Sequence, residues 1–282
     1  MMKQKYLKLL ISFFTLSLIT TYIHAEEASN PIKIMPLGDS ITSGYILADL
    51  DNPRPLSVRT GYRNHLWYIL NNANFSADFV GSQVAGQEIV PPFDPDHEGH
   101  RGWHSNDIAE KTYEYMTYSA PDIVLLHVGT NDYSTSVNGI ASILNQIDLY
   151  EQASGHSIRV LVAQIIDNAS PNGIIRGFNE NIQSLVTSRI LDGDNIMLVD
   201  MYRGAGLQGS DYTDMIHPND SGYYKIASVW ANIIMTPYTY NPELSRFPTT
   251  IVPKGYIQSV NINSSGDTIE FITSVPASGM TF

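Results

Sequence analysis

The amino-acid sequence predicts an α/β fold in which a five-stranded parallel sheet carries helices on both of its faces. Short apolar segments alternate with longer amphipathic segments along residues 32–235, which is the chain order of a parallel sheet with crossover helices. One of these segments, residues 122–128, is apolar almost throughout, as expected of a strand that is covered on both faces. Polar residues follow several of the apolar segments, where open parallel sheets bind their ligands.

Each element of this fold has its own sequence signal. The predicted strands, which are short and mostly apolar, are residues 32–37, 77–81, 122–128, 158–165 and 196–200. The predicted helices, which are amphipathic, are residues 61–72, 106–119, about 137–153, about 174–190 and 220–235. Ser105 and Asn219 precede two of these helices as N-caps, because their side-chain oxygens can accept a hydrogen bond from the first helical turn.

The beginning of the chain has the pattern of a secretory signal peptide. Lys3, Lys5 and Lys8 precede an apolar run over residues 9–23, and Ala25 is suitable as the last residue before cleavage. The apolar run is short for a membrane-spanning helix, although an uncleaved N-terminal anchor is the alternative. We therefore expect residues 1–25 to be a signal peptide, and the mature protein to be extracellular or periplasmic.

The end of the chain differs in composition from the rest. Residues 26–237 are the predicted main domain, and residues 238–282 form an extension with prolines at positions 242, 248 and 253. Residues 256–262 and 268–275 flank a turn-like segment and could form a β-hairpin. A two-stranded hairpin is not stable alone. The extension must dock on the main domain or belong to an accessory module that is incomplete.

Composition limits the partners that we expect. The chain has 28 acidic and 16 basic residues, a formal net charge of −12 and no cysteine, so no disulfide can support the fold. Such a surface should repel nucleic acid, anionic lipid and pectin-like polyanions. A neutral substrate would feel little of this field. Solubility alone is an equally good explanation of the charge.

A serine, a histidine and an aspartate are placed as nucleophilic catalysis requires. Ser40, in the segment Gly-Asp-Ser-Ile-Thr at 38–42, follows the first predicted strand, and a serine becomes a nucleophile only beside a base. Asp214 lies three residues before His217, close enough to orient the imidazole towards that serine. The alternatives are a helix-capping serine and an ordinary surface turn.

Two further residues are candidates for an oxyanion hole. Acyl transfer needs hydrogen-bond donors directed at the charge that develops on the carbonyl oxygen. The backbone N–H groups of Ser40 and Gly102 and the side-chain amide of Asn131 could supply them. Asn131 and the Asp214–His217 pair follow ends of predicted strands, so these residues should meet at one edge of the sheet.

Two other groups of residues resemble ligand sites without fitting them. His97, His100 and His104 have spacings that suit zinc on a helix, but Gly99 and Gly102 make a regular helix there unfavourable. Residues 204–209 match the glycine pattern of dinucleotide-binding loops, yet no adequate helix follows, which that motif requires. We expect neither a metal nor a cofactor. The loop around residues 97–103 is expected to form a wall of the pocket.

These motifs, in this order, resemble blocks I, II, III and V of the SGNH, or GDSL-type, hydrolases. The surrounding sequence is most similar to the family-3 carbohydrate esterases, the acetylxylan esterases of that superfamily, at residues 34–42, 61–63, 79–82, 97–103 and 121–126. The resemblance covers about residues 32–235. It implies a flavodoxin-like three-layer α/β/α sandwich that hydrolyses esters without a metal or cofactor.

The resemblance also implies the role of each site residue. Ser40 is the nucleophile, His217 the base and Asp214 the acid that orients it. Ser40, Gly102 and Asn131 form the oxyanion hole. Block II contains a second glycine, Gly99, and the choice of Gly102 over it is a judgement.

The sequence therefore predicts a secreted serine esterase that removes acetyl or other short acyl groups from a polysaccharide such as xylan. Its partner is the acetylated polysaccharide, with no nucleic acid or membrane. One alternative is a lipolytic or thioesterase-type SGNH hydrolase that acts on longer acyl chains. An alternative from another class is a carbohydrate-binding protein with a vestigial site.

Overall fold

The computed structural model describes residues 30–171 and 173–236, together with the backbone of two strands at 257–262 and 269–273. The chain divides into two units, residues 1–30 and residues 31–282, and the elements given below belong to the second. The predicted signal peptide lies outside the described residues, as does most of the predicted extension. Neither the signal peptide nor the domain division is tested by these residues, and both remain predictions.

The central sheet consists of seven strands, which are β1 (Ile32–Gly38), β2 (Ala77–Phe79), β3 (Gln83–Val84), β4 (Asp96–Gly99), β5 (Ile123–His127), β6 (Arg159–Ala163) and β7 (Ile196–Val199). Their order is β3-β4-β1-β5-β6-β7, and β2 also pairs with β1. All pairs are parallel except β3 with β4. Considering only the five predicted strands, the spatial order is 2-1-3-4-5, which is the flavodoxin-like order.

The helices of the described part are α1 (Ser40–Ser43), α2 (Arg63–Asn72), α3 (Ser105–Ser119), α4 (Asn138–Ser154), α5 (Gly173–Asp192), α6 (Met201–Gly204) and α7 (Asp220–Met235). Short 3-10 turns occupy Leu47–Leu50, Leu56–Val58 and Gly209–Asp211. None of the helices in the described ranges is both long and apolar enough to cross a membrane.

The two faces of the sheet are buried by different helices. On one face, Met35 and Leu37 of β1 pack in a core with α3, α4 and α5. On the other face, Ile34 packs in a second core with α2 and α7, where Trp230 is fully buried. Alternate residues of a strand point to opposite faces, so β1 supplies both cores. The predicted three-layer α/β/α class is confirmed.

The number of strands differs from the prediction. All five predicted strands are present, but the sheet has two more, β3 and β4, so five strands was too few. The predicted second strand also ends early, because β2 pairs with β1 only as far as Phe79 beside Ile34, and β4 then pairs with Leu37 and Gly38. The segments of β3 and β4 are short and polar, so backbone pairing defines them and side-chain periodicity does not.

Of the two predicted helix N-caps, one is confirmed and one is wrong. Asn219 caps α7 as predicted, since its side chain accepts a hydrogen bond from the Gly222 N–H at 3.1 Å. Ser105 is instead the first residue of α3, and its hydroxyl donates to Asp132 at 2.5 Å. The N-cap position belongs to His104. Ser105 therefore ties the start of α3 to the loop that follows β5.

Two strands also occur within residues 238–282. They are β8 (Ile257–Ile262) and β9 (Ile269–Thr273), which pair antiparallel. They form a two-stranded sheet separate from the central one.

Candidate active site

Ser40 lies at a sharp turn between the first strand and the first helix. The Asp39 side chain caps α1 by accepting a hydrogen bond from the Ile41 N–H at 3.0 Å. Gly38 must lack a side chain, since a Cβ there would lie 2.2 Å from the His127 carbonyl oxygen on β5. The turn therefore needs Gly38, Asp39 and Ser40 in that order, and it places Ser40 at the carboxyl end of β1.

Ser40, His217 and Asp214 form one continuous chain of hydrogen bonds. The His217 Nε2 atom lies 2.9 Å from the Ser40 Oγ atom. On the other side of the ring, His217 Nδ1 lies 3.0 Å from each carboxylate oxygen of Asp214. A proton on Nδ1 that is held by the carboxylate leaves Nε2 free to accept the serine proton. The three residues come together although 177 positions separate Ser40 from His217.

Backbone donors hold the Asp214 carboxylate in its charged form. Burial alone would raise the pKa of Asp214, but N–H groups of Leu47, His217 and Ile216 outweigh it and lower the pKa. These three bonds are each 2.8 Å long. The loop after α1 thus reaches across through Leu47 to fix the orienting acid.

His217 is a buried imidazole whose neutral form is favoured. Burial lowers the pKa of His217, and the nearby charge of Asp214 opposes that shift only in part. Only 3% of the residue is exposed. The ring of Tyr45 meets the imidazole edge-on, with centroids 6.1 Å apart. A neutral imidazole is the form that can take a proton from Ser40.

The two loops that carry the oxyanion candidates are joined to each other. The Asn131 side-chain amide donates to the Trp103 carbonyl at 2.9 Å, directly after Gly102. An amide has two N–H groups, so one remains for a ligand. The first of these loops is also tied to the nucleophile turn, because the His100 N–H donates to the Gly38 carbonyl at 2.8 Å.

The two glycines of the second motif have different surroundings. The Gly99 N–H donates to His97 Nδ1 at 2.9 Å, and a Cβ at Gly99 would lie 2.7 Å from the Ser43 nitrogen. Gly99 is therefore a packing glycine with an occupied donor. Gly102 is exposed, has φ +77° and has no atom within 4 Å of where a Cβ would be. These surroundings favour Gly102 as the oxyanion donor.

Asp39 contributes more than a helix cap. Its side chain is fully buried, and burial raises its pKa to about 6, although N–H groups of Ile41 and Thr130 favour the charged form. Thr130 directly precedes Asn131. Asp39 therefore caps the nucleophile turn and lies near the loop that carries Asn131.

A cavity of about 170 Å³ opens beside this site. Ser43 of α1 lies in its wall, together with Arg59, His97, Arg101 and Trp103, and we call it the arginine cavity. Ser43 is linked to the nucleophile itself, because its hydroxyl donates to the Ser40 carbonyl at 3.2 Å. The predicted pocket wall formed by residues 97–103 is thus observed at His97, Arg101 and Trp103.

Sequence reasoning missed the residues that surround the histidine. Tyr45 and Leu47 contact the triad, and the guanidinium of Arg101 lies 4.0 Å from the Tyr45 ring centroid. Their only sequence signal is position within a loop shortly after Ser40 or beside Gly102. Within the described part of the chain, no three His, Cys, Asp or Glu side chains are grouped to hold one metal ion. His97 and His100 instead bond to Gly99 and Glu98.

Comparison with known proteins places this geometry in a family. The model of the GDSL-like Lipase/Acylhydrolase family matches residues 37–225. A relative from Ruminococcus flavefaciens, named Multidomain esterase, is 29% identical over 252 residues, which cover 79% of this chain. The match spans only 31% of that relative's own length, so most of the relative lies outside the matched region.

Solved structures of esterases are similar to this chain in fold. A carbohydrate esterase of family 3 from Talaromyces cellulolyticus has a TM-score of 0.60 and 28% identity, covering 72% of this chain and 96% of its own. An acetyl esterase mutant with acetate ion has the same four values. The family 3 carbohydrate esterase of Clostridium thermocellum has a TM-score of 0.58 and 29% identity, covering 77% of this chain and 98% of its own.

Proposed function

Because the chain belongs to the GDSL-like lipase/acylhydrolase family, we propose that its site removes acetyl groups from a polysaccharide such as xylan. The observation that carries this proposal is the unbroken relay from Asp214 through His217 to Ser40, with contacts of 3.0 and 2.9 Å. The proposed secretion rests on the predicted signal peptide, residues 1–25.

The relay suggests a double-displacement reaction. The Ser40 oxygen attacks the ester carbonyl while His217 Nε2 takes the serine proton, and a tetrahedral oxyanion forms. The sugar oxygen then leaves with the proton from His217, so Ser40 carries the acyl group. Water, deprotonated by His217, attacks this acyl-enzyme. The bond between the acyl carbon and the Ser40 oxygen then breaks, Ser40 takes the proton back from His217, and the carboxylic acid leaves. Asp214 holds the ring and stabilises the imidazolium in both halves.

The proposed oxyanion donors are the N–H groups of Ser40 and Gly102 and the Asn131 amide. The bond from Asn131 to Trp103 and the exposed, open position of Gly102 support this assignment. Donors that are already oriented need no reorganisation when the charge develops. Loss of one such donor typically slows the reaction roughly 100–1,000-fold.

Two observations favour a short acyl group on a sugar. Two of the similar solved structures are named family 3 carbohydrate esterases, and a third is named an acetyl esterase. The wall of the arginine cavity beside Ser43 is mixed, with arginine and histidine side chains beside Leu56 and Val84, whereas a long acyl chain would require an apolar channel. Sugar hydroxyls match the polar groups of this wall, so the cavity suits a carbohydrate.

The neutral form of His217 sets the expected pH dependence. As the pH falls, protonation of His217 removes the base, so kcat/KM for an aryl acetate should fall on the acid side. Since burial lowers the pKa of His217, we expect this limb below the ordinary imidazole pKa of about 6.5. In Asp214→Asn the charge that favours the imidazolium is lost, so the limb should move lower still, with a reduced plateau. A pH profile of kcat/KM measures both.

A second aspartate–histidine pair provides the matched control. Asp220 lies 2.8 Å from His65, and its side chain is 90% exposed. Asp220→Asn should therefore leave the profile unchanged. An acid limb at or above about 6.5, or one that Asp214→Asn does not move, would contradict the role of His217.

The substrate is tested by acetate release from acetylated xylan, acetylated glucomannan and acetylated peptidoglycan in parallel. We expect release from xylan in excess of the other two, because this chain is similar to family 3 carbohydrate esterases in sequence and fold. Aryl esters of increasing chain length serve as the control series, with acetate expected to be hydrolysed fastest. No acetate from any polymer, or a rate maximum at a long acyl chain, would contradict the proposal.

A further inference from the structure

The arginine cavity has an unusual charge for this protein. The chain carries a net charge of −12, yet none of the described residues in the cavity wall is an aspartate or glutamate. Two arginines, Arg59 and Arg101, lie in the wall instead. The cavity is therefore a local cationic site within an acidic molecule, and it would attract a single negative group.

The two guanidinium groups approach the same tyrosine. Arg101 Cζ lies 4.0 Å, and Arg59 Cζ 5.3 Å, from the centroid of Tyr45. Both cations therefore lie close to one aromatic ring, although Arg59 already donates to the Arg54 carbonyl. Tyr45 contacts His217 in turn, so the cationic site and the catalytic base share one aromatic ring.

The acid nearest to these arginines is already occupied. Asp49 lies 3.8 Å from Arg59 but makes its close bonds, 2.8–3.0 Å long, to Arg54. Arg101 has no carboxylate within 4 Å among the described residues. Arg54 and Arg59 thus share one carboxylate, whereas the charge of Arg101 is not neutralised by an acidic side chain in the described part of the chain.

A buried, neutral histidine lies in the same wall. The Gly99 N–H donates to His97 Nδ1, so the proton of the neutral ring is on Nε2. That atom is buried and has no hydrogen-bond partner in the described part of the chain. Burial lowers the pKa of His97 well below its usual value, so the ring stays neutral.

The cavity lies where a substituent near the ester would reach. Ser43 in its wall is bonded to the Ser40 carbonyl, and Arg101 and Trp103 in the wall flank the candidate donor Gly102. Its volume of about 170 Å³ corresponds to roughly ten water-sized groups, which is the scale of one sugar ring. A bare carboxylate such as acetate would fill only part of it.

We propose that the arginine cavity binds the carboxylate of a uronic acid side group, next to the acetylated sugar of the main chain. This inference rests on the proposed function. Arg101 makes the principal charge-assisted contact, and Arg59 adds a second positive charge to the same wall. A mostly neutral polymer with isolated uronic acids fits both the cationic cavity and the negative net charge of the chain. A polyanion would be repelled by the rest of the surface.

The test compares two forms of one substrate. Acetylated xylan that carries glucuronic acid is used before and after enzymatic removal of those side groups, and KM for acetate release is measured at low and high salt. We expect wild-type KM to rise roughly tenfold when the uronic acid is removed, the scale of one charge-assisted hydrogen bond. High salt should reduce that ratio.

Arginine variants assign the effect to the cavity. In Arg101→Gln the KM ratio between the two polymers should fall to near one, whereas Arg101→Lys should keep part of it because the charge remains. Arg203→Gln is the matched control, since Arg203 is also exposed and lies 5.9 Å over a tyrosine ring. It should keep the full ratio. An equal ratio in all four proteins would overturn the assignment.

Small carboxylates separate a uronic acid site from a product site. Glucuronate, glucose, acetate and polygalacturonate are each tested as inhibitors of aryl acetate hydrolysis. We expect glucuronate alone to inhibit, and Arg101→Gln to weaken that inhibition. Inhibition by acetate without glucuronate would make the cavity a product site and overturn the proposal. If neither polymer yields acetate, the proposed function fails, whereas acetate from both polymers with equal KM contradicts only the uronic acid site.

Discussion

Replacing Ser40 by alanine is expected to lower kcat for aryl acetate hydrolysis by at least roughly 1,000-fold. The substitution removes the only atom that could form the acyl-enzyme, and His217 Nε2 then has no proton to take. Residual turnover would come from the oxyanion donors acting on water. The initial rate of aryl acetate hydrolysis is measured for both proteins, and the variant is used at a concentration high enough for a roughly 1,000-fold lower rate to be detected.

The Ser40→Ala substitution should leave the fold and its stability unchanged. The Ser40 side chain bonds only to His217 among the described residues, and the cap of α1 comes from Asp39. Ser228→Ala is a matched control, because its hydroxyl bonds to the Tyr224 carbonyl at 2.8 Å on α7, away from the relay. It should keep wild-type rates. More than a tenth of wild-type turnover in Ser40→Ala would contradict the nucleophile assignment.

Arg63→Met is expected to have the largest effect on stability, lowering the free energy of unfolding by about 3–5 kcal/mol. The guanidinium is fully buried and donates to the carbonyls of Thr42, Arg59, Ala85 and Pro95 at 2.9–3.1 Å. Methionine would leave these acceptors without a donor, and each lost partner costs about 1–3 kcal/mol. Relief of the buried charge offsets part of the loss. Urea unfolding measures the change.

The Arg63 guanidinium is buried away from water, so the four carbonyl oxygens are its main hydrogen-bond partners. Burial lowers the pKa of Arg63 to about 9, so the side chain is held in a poorly solvated place. It joins α1, through Thr42, to the residues around the arginine cavity. Arg203→Met, at an exposed position, should change stability by less than about 0.5 kcal/mol. Equal unfolding midpoints for Arg63→Met and Arg203→Met would contradict the stabilising role of Arg63.

The fold could be predicted where side-chain periodicity reports burial. Segments such as residues 122–128, buried on both faces, read as apolar runs, and the helices have apolar residues at helical spacing. β3 and β4 escaped prediction because Gln83–Val84 and Asp96–Gly99 are held by backbone bonds to neighbouring strands. The path of the chain after β2 places β4 beside β1 and β3 at the edge of the sheet, and no sequence pattern indicates that path.

The candidate site could be predicted where residue type and order reflect chemistry. Ser40, Asp214 and His217 were found from spacing and from their places after strands, and the structure joins all three. Gly99 and Gly102 could not be separated, because the difference is a bond to His97 and a value of φ. Tyr45 and the arginines around it depend on how two loops fold over α1, for which no motif exists.

The central claim, that Ser40 is the nucleophile of an ester hydrolase, is tested most directly by covalent labelling. The protein is treated with an alkyl fluorophosphonate, which reacts with activated serines, and its mass, its peptides and its activity on an aryl acetate are followed together. We predict one adduct, located on the peptide that carries Ser40, with activity lost in proportion and no adduct in Ser40→Ala. Full labelling at another residue, or full activity in the labelled protein, would contradict the assignment.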